Sequence, residues 1–183
     1  MAVAPSITIA EFEERQRRAR AASAAAGFDG LLVISRGGGS VDRYANVLYL
    51  ANFYSSFPFI PDRRPDWSAR GHPMLVLPNQ GDPILVVDMP VRPHEIPLSN
   101  VVQADDVLPA VVKAIKDAKL AGKNIGVAGA DALPWAAFRK IESDLQGTRF
   151  TPADEILEKQ RSVKSPAEIG YIRKAVARKE KKK

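Results

Sequence analysis

Cysteine is absent from this chain, and histidine occurs twice, as His72 and His94. The first absence excludes disulfides, thiolate metal ligands and cysteine nucleophiles. The second leaves little imidazole for a metal centre, and both histidines read as surface loop positions. No run approaches the roughly 18 consecutive apolar residues that a spanning helix needs. The N-terminus has no basic region followed by an apolar core, so no signal peptide is predicted. Phosphate-binding order is missing as well. Gly37-Gly38-Gly39-Ser40 follows a predicted strand, but it lacks the G-x-G-x-x-G spacing and a following lysine, and it reads as a plain loop. Ser40, Ser55 and Ser56 have no G-x-S-x-G context. The paired acids Asp105-Asp106 and Asp154-Glu155 stand at predicted helix starts, where the helix dipole favours negative charge.

What is present fits one globular domain with a tail. The chain has 183 residues, 45% of them hydrophobic, with a mean hydropathy of -0.17, which suits a soluble core. The net charge of +6 is concentrated at the end. Residues 178–183 carry five positive charges and one negative, so the preceding 177 residues hold only +2. That pattern predicts a solvated basic tail and no specific nucleic-acid partner.

The order of elements is legible. Thr8 and Glu11 form a capping box for a helix whose Ile9, Phe12, Ala19, Ala22 and Ala26 share a face and which Gly27 ends. Gly30 to Ser35 is a continuous apolar strand, predicted buried on both faces. A short helix or turn covers Tyr44 to Leu50, and Phe53 to Trp67 reads as an irregular excursion that includes one strand. Pro73–Pro78 and Pro83–Asp88 form a hairpin around Asn79-Gln80-Gly81-Asp82. Strands at Asn100–Gln103, Asn124–Ala128 and Arg149–Pro152 then alternate with helices at Val107–Leu120, Leu133–Leu145 and Ala153–Lys159. Trp135, Phe138, Ile141 and Leu145 share one face of the second of these helices. The alternation predicts an α/β sandwich, and the hairpin makes its sheet mixed.

The chain ends on a second capping box. Ser165 caps a helix, Pro166 takes its first turn, and Glu168 can reach back to the capping N–H. Ile169, Ile172 and Val176 repeat at helical spacing. They predict an exposed apolar stripe that favours self-association unless something covers it. This helix reads as a connector.

Three motifs carry a family resemblance. Arg161, Lys164, Ser165, Glu168 and Ile169 are similar to the R-x-x-K-S-x-x-E-[IL] connector of the creatinase / Xaa-Pro aminopeptidase / prolidase family (M24 metallopeptidases). Asn46-Val47-Leu48-Tyr49-Leu50-Ala51-Asn52-Phe53 resembles that family's N-x-x-Y-L-[TS]-G-F, with Asn52 where glycine is usual. Phe28-Asp29-Gly30-Leu31-Leu32-Val33 looks like its first strand. The resemblance spans residues 10 to 177 and implies a creatinase-type N-terminal domain. Its fold would be an α/β three-layer sandwich with a mixed, ribonuclease H-like sheet. It also implies a boundary, with a body over residues 1–160 and a connector stub and basic tail over 161–183.

The same resemblance implies a division of labour. The family's dinuclear site uses two Asp, one His and two Glu in a catalytic domain that would follow residue 183. No metal or cofactor is therefore expected in this chain, and two divalent metals (Mn, Co or Zn) belong to that other domain. The expected role is assembly and substrate gating in the cytoplasm, beside a catalytic domain of the same family or a homodimer partner, with no membrane. Peptidase activity with a catalytic domain supplied in trans, and a stand-alone protein-binding module of the same fold, are the alternatives. Arg43, Tyr49, Phe53, Tyr54, Phe57, Arg64, Trp67 and Arg70 are the candidate gating or interface residues. Aromatics interspersed with arginine suit an interface core, and a guanidinium can grip a substrate carboxylate bidentately. Tyr49 and Phe53 also suit a plain core role.

Overall fold

The computed structural model describes residues 7–36, 45–54 and 61–180. Six strands form one sheet: β1 (Gly30–Ile34), β2 (Met74–Pro78), β3 (Ile84–Val87), β4 (Asn100–Gln103), β5 (Asn124–Ala128) and β6 (Arg149–Pro152). Their spatial order is β4-β3-β2-β1-β5-β6. β1 runs parallel to β5 and antiparallel to β2. The β2–β3 hairpin is antiparallel, while β3–β4 and β5–β6 are parallel pairs. The sheet is thus mixed, as the alternation with one hairpin predicts.

Helices cover both faces. α3 (Val107–Asp117) and α4 (Trp135–Asp144) lie on one side, over Leu32, Ile34, Met74, Val76, Val86, Ile125 and Val127. α1 (Ile9–Ala25), α2 (Ala45–Ala51) and α5 (Asp154–Ser162) cover the other, over Leu31, Val33, Leu75, Leu77, Leu85 and Val87. Adjacent residues of β1 and β2 therefore point into different cores, and every residue of both strands is buried. That explains why these segments are apolar runs rather than alternating patterns. The result is a three-layer α/β sandwich. Among the described residues no helix is long and apolar enough to cross a membrane.

Several expectations need correction. The buried face of α1 is Phe12, Arg15, Gln16, Ala19 and Ser23. Ile9 is 59% exposed and Ala26 lies outside the core. Trp135 does not join Ile141 and Leu145 inside. It is 72% exposed, because the buried side of the first turn of α4 is taken by Ala137, and its ring meets Phe138 at a centroid distance of 6.2 Å. Between Phe53 and Trp67 the described residues hold no strand, only an isolated bridge between Arg63 and Trp67. His72 is fully buried. Its N–H donates to the Ala69 carbonyl and its ring nitrogens meet the Arg70 and Ala132 carbonyls, so it sits in a turn just before β2 that is packed into the core rather than in a surface loop. His94 is exposed, in a short 3-10 turn, as expected.

Candidate functional site at the joint of body and connector

The joint is built from three segments that are far apart in sequence. α2 has only seven residues, so most of its backbone is terminal and its last carbonyls have no partner within the helix. Side chains of α1 supply the donors. Arg15 Nη1 donates to the Tyr49 carbonyl at 3.1 Å and Gln16 Nε2 to the Leu50 carbonyl at 2.8 Å. This explains two buried polar residues in the middle of an alanine-rich helix. Removing either donor would leave a buried carbonyl without a partner, a loss of about 1–3 kcal/mol.

The chain then leaves α2 through Asn52, which has φ +51. This is the left-handed region, where glycine is favoured and asparagine is among the better-tolerated alternatives. Asn52 therefore replaces the glycine of the related motif without a large backbone cost. Its Nδ2 also donates to the Glu95 carbonyl at 2.7 Å. Tyr49 and Phe53 are buried, at 6% and 4% exposure, and belong to the core beneath the joint.

Arg15 sits at the centre. Its guanidinium carbon lies 4.3 Å from the Tyr49 ring centroid and 5.1 Å from that of Phe12. Its Nη2 is 2.5 Å from Glu11 Oε1 and 3.6 Å from Glu168 Oε1. Two rings and two carboxylates thus surround one cation whose side chain is 3% exposed. Arg18 adds a donor at 3.2 Å to the Tyr49 hydroxyl.

The C-terminal segment closes the joint from the other side. α6 (Pro166–Glu180) opens on the complete capping box read from the sequence. The Ser165 N–H donates to Glu168 Oε2 at 2.9 Å, and the Glu168 N–H donates to Ser165 Oγ at 3.2 Å. Arg161 Nη1 donates to Asn46 Oδ1 at 2.9 Å, tying the end of α5 to the start of α2. Lys164 donates to the Arg161 carbonyl. Between the segments lies an open groove of about 480 Å³, lined among others by Phe12, Arg15, Leu48, Tyr49, Lys164 and Tyr171. Beyond its first turn α6 leaves the body. Ala167 is buried, whereas Tyr171 to Arg178 are exposed, with Ile169, Ile172 and Val176 at 38%, 49% and 52%.

The two sequence motifs therefore meet, through Arg15, which neither motif contains. The signal that could have found it is the Glu11–Arg15 spacing of four on a predicted helix. The other candidates lie elsewhere. Tyr54 is 42% exposed. Trp67 and Arg70 belong to a segment packed against the start of α3, where the Val107 N–H donates to the Ser68 carbonyl and Ser68 Oγ bonds Asp106. Burial raises the Asp106 carboxyl above its ordinary range. Trp67 Nε1 donates to the Pro61 carbonyl at 3.1 Å. Arg63 and Arg70 stand 5.6 and 5.9 Å from its ring centroid, and Arg70 also pairs with Asp105 at 3.5 Å. Arg64 is exposed beside them. Arg43 and Phe57 fall outside the described residues. Among the described residues no three metal-binding side chains come together.

A family model described as the creatinase/prolidase N-terminal domain matches residues 15–163. No curated protein matches the chain. Solved structures do. The X-Pro aminopeptidase of Thermotoga maritima MSB8 superposes with a TM-score of 0.66 at 19% identity, covering 88% of this chain and 41% of that one. Dipeptidase PepE of Mycobacterium ulcerans gives 0.60 at 24% identity, covering 90% and 40%. The N-terminal domain of the cytoplasmic peptidase PepQ of Mycobacterium tuberculosis H37Rv gives 0.57 at 17% identity, covering 80% and 97%. The chain thus spans about two fifths of the two longer peptidase chains and nearly all of the separate N-terminal domain. At these identities the likeness is one of fold.

Proposed function

From the premise that this chain belongs to the creatinase/prolidase N-terminal domain family, we propose that it is the non-catalytic assembly and substrate-gating domain of an Xaa-Pro aminopeptidase-like metallohydrolase. The observation that carries this reading is the joint. A connector helix with a complete capping box is tied to the body at its first turn and then presents Ile169, Ile172 and Val176 to solvent. A surface helix normally turns such a stripe toward a core. A catalytic domain of the same family, or a homodimer partner, would cover it. Hydrolysis and its two divalent metals (Mn, Co or Zn) are assigned to that catalytic domain. The reading places the protein in the cytoplasm, supported by the peptidase PepQ, which is cytoplasmic and has a similar N-terminal domain.

The test has two arms. The chain is incubated with manganese and an Xaa-Pro peptide, alone and with the catalytic domain of an Xaa-Pro aminopeptidase stripped of its own N-terminal domain. Binding and altered substrate selection in the mixture, with no turnover by the chain alone, is the expected result. Turnover by the isolated chain would overturn the non-catalytic assignment, and absence of any complex would overturn the assembly role.

A further inference from the structure

We propose that Arg15 is a positioning residue that fixes the direction of α6, so that the connector is a rigid lever and not a swivel. The argument begins with Glu168, whose two oxygens have different tasks. Oε2 accepts the Ser165 N–H and closes the capping box, while Oε1 faces Arg15 at 3.6 Å. The group that caps the helix is therefore the group that ties it to the body. α6 cannot turn about its first residues without separating Glu168 from Arg15.

Arg15 is in turn held on several sides. It is clamped between the rings of Phe12 and Tyr49 and donates to the Tyr49 carbonyl, which makes it a fixed anchor rather than a freely rotating surface cation. The charge is held where water screens it poorly, so the attraction exceeds that of an exposed pair. A second tie, from Arg161 to Asn46, restrains the residues just before the connector. The lever matters because of length. Arg178 lies ten residues beyond Glu168, about 15 Å at 1.5 Å per residue, so a swing of about 20° at the joint moves it about 5 Å. Such a displacement would misplace the Ile169–Ile172–Val176 stripe against any partner. This inference rests on the proposed function only for the identity of that partner. The tether itself is a property of this chain.

The test reads the chain alone, so its failure is distinct from failure of the assembly role. With no native cysteine, spin labels can be placed cleanly at Lys113→Cys on α3 and Arg178→Cys on α6, both exposed. Double electron–electron resonance then gives the distance distribution. The expected result is one narrow distribution that widens by about 5 Å in Glu168→Gln, which keeps the cap but removes the charge. Helix content by circular dichroism should not change. Glu11→Gln removes the closer carboxylate of Arg15, but Glu11 lies on the same helix as Arg15 and so the distribution should stay narrow. A broad distribution in the parent, an unaltered one in Glu168→Gln, or equal widening in Glu11→Gln would each overturn the proposal.

Discussion

Gly129 gives the sharpest prediction about the fold. It follows β5 with φ +88 and ψ 29, a left-handed conformation that costs an L-residue about 1–2 kcal/mol. A Cβ there would also collide with the Ile34 carbonyl oxygen. That neighbour is backbone of the central strand, so it cannot rotate away as a side chain can. The contact is an overpacking that costs about 1–3 kcal/mol more. Gly129→Ala should therefore lose about 2–5 kcal/mol, a drop in Tm on the order of 10 °C for a chain of this size. Gly27 provides the control. Its φ is +80, and a Cβ there meets nothing within 4 Å, so Gly27→Ala should show the conformational part alone, about 1–2 kcal/mol. Urea unfolding of both variants beside the parent separates the two terms. If Gly129→Ala is no less stable than Gly27→Ala, the close approach of Gly129 to Ile34 does not constrain the fold and the reasoning fails.

Three further outcomes follow from burial. Burial holds the His72 imidazole below the usual histidine range, the Arg36 charge lowers it further, and the Arg70 and Ala132 carbonyls pull the other way. The folded state thus binds fewer protons than the unfolded one, so stability present above about pH 6.5 falls as pH drops below it; urea midpoints at pH 7 and 5 should show this slope in the parent and a shallower one in His72→Asn, and equal slopes would refute it. Leu157 is fully buried in the α1–α5 side of the core, so Leu157→Ala should lose about 2–5 kcal/mol, whereas Trp135→Ala should stay within about 0.5 kcal/mol of the parent despite removing a larger side chain; thermal melts that rank the two the other way would contradict the burial assignment. The exposed stripe of α6 should produce weak self-association, read by light scattering as a mass that rises with concentration, and a monomer at high micromolar concentration would argue against it.

Much of the fold is legible in the sequence because strands here are short apolar runs bounded by turn residues. Gly30 to Ile34, the hairpin around Asn79 to Asp82, and Asn124 to Ala128 follow from that rule, while Asn100–Gln103 and Arg149–Pro152 are legible from their alternation with helices. The connector cap is equally plain, since Ser165 and Glu168 act within three residues of each other. Failures occur where the partner is remote. His72 stands between a glycine and a proline and so looks like a loop residue. Its burial depends on carbonyls of Arg70 and Ala132 lying 3.2 and 3.1 Å from its two nitrogens, and no local pattern encodes the second of these. Trp135 satisfies the helical spacing of an inward face, but spacing does not reveal that the small Ala137 takes the buried side of that first turn.

The joint shows why one half of a site can be read and the other cannot. Tyr49 and Glu168 belong to patterned segments, and their motif positions are visible. Arg15 belongs to a helix whose arginines at 15, 17, 18 and 20 look alike. What distinguishes Arg15 is a requirement of another element, for α2 is too short to satisfy its own carbonyls and needs donors from outside. Arg15 and Gln16 meet that need at adjacent positions, and Arg15 alone has charge left over for Glu168. A short helix that cannot close its own hydrogen bonds thereby draws a cation into the core, and that cation in turn faces Glu168 at the start of α6. The meeting of α1, α2 and α6 is in this sense a consequence of the length of α2, and lengthening α2 would remove the reason for Arg15 to be buried.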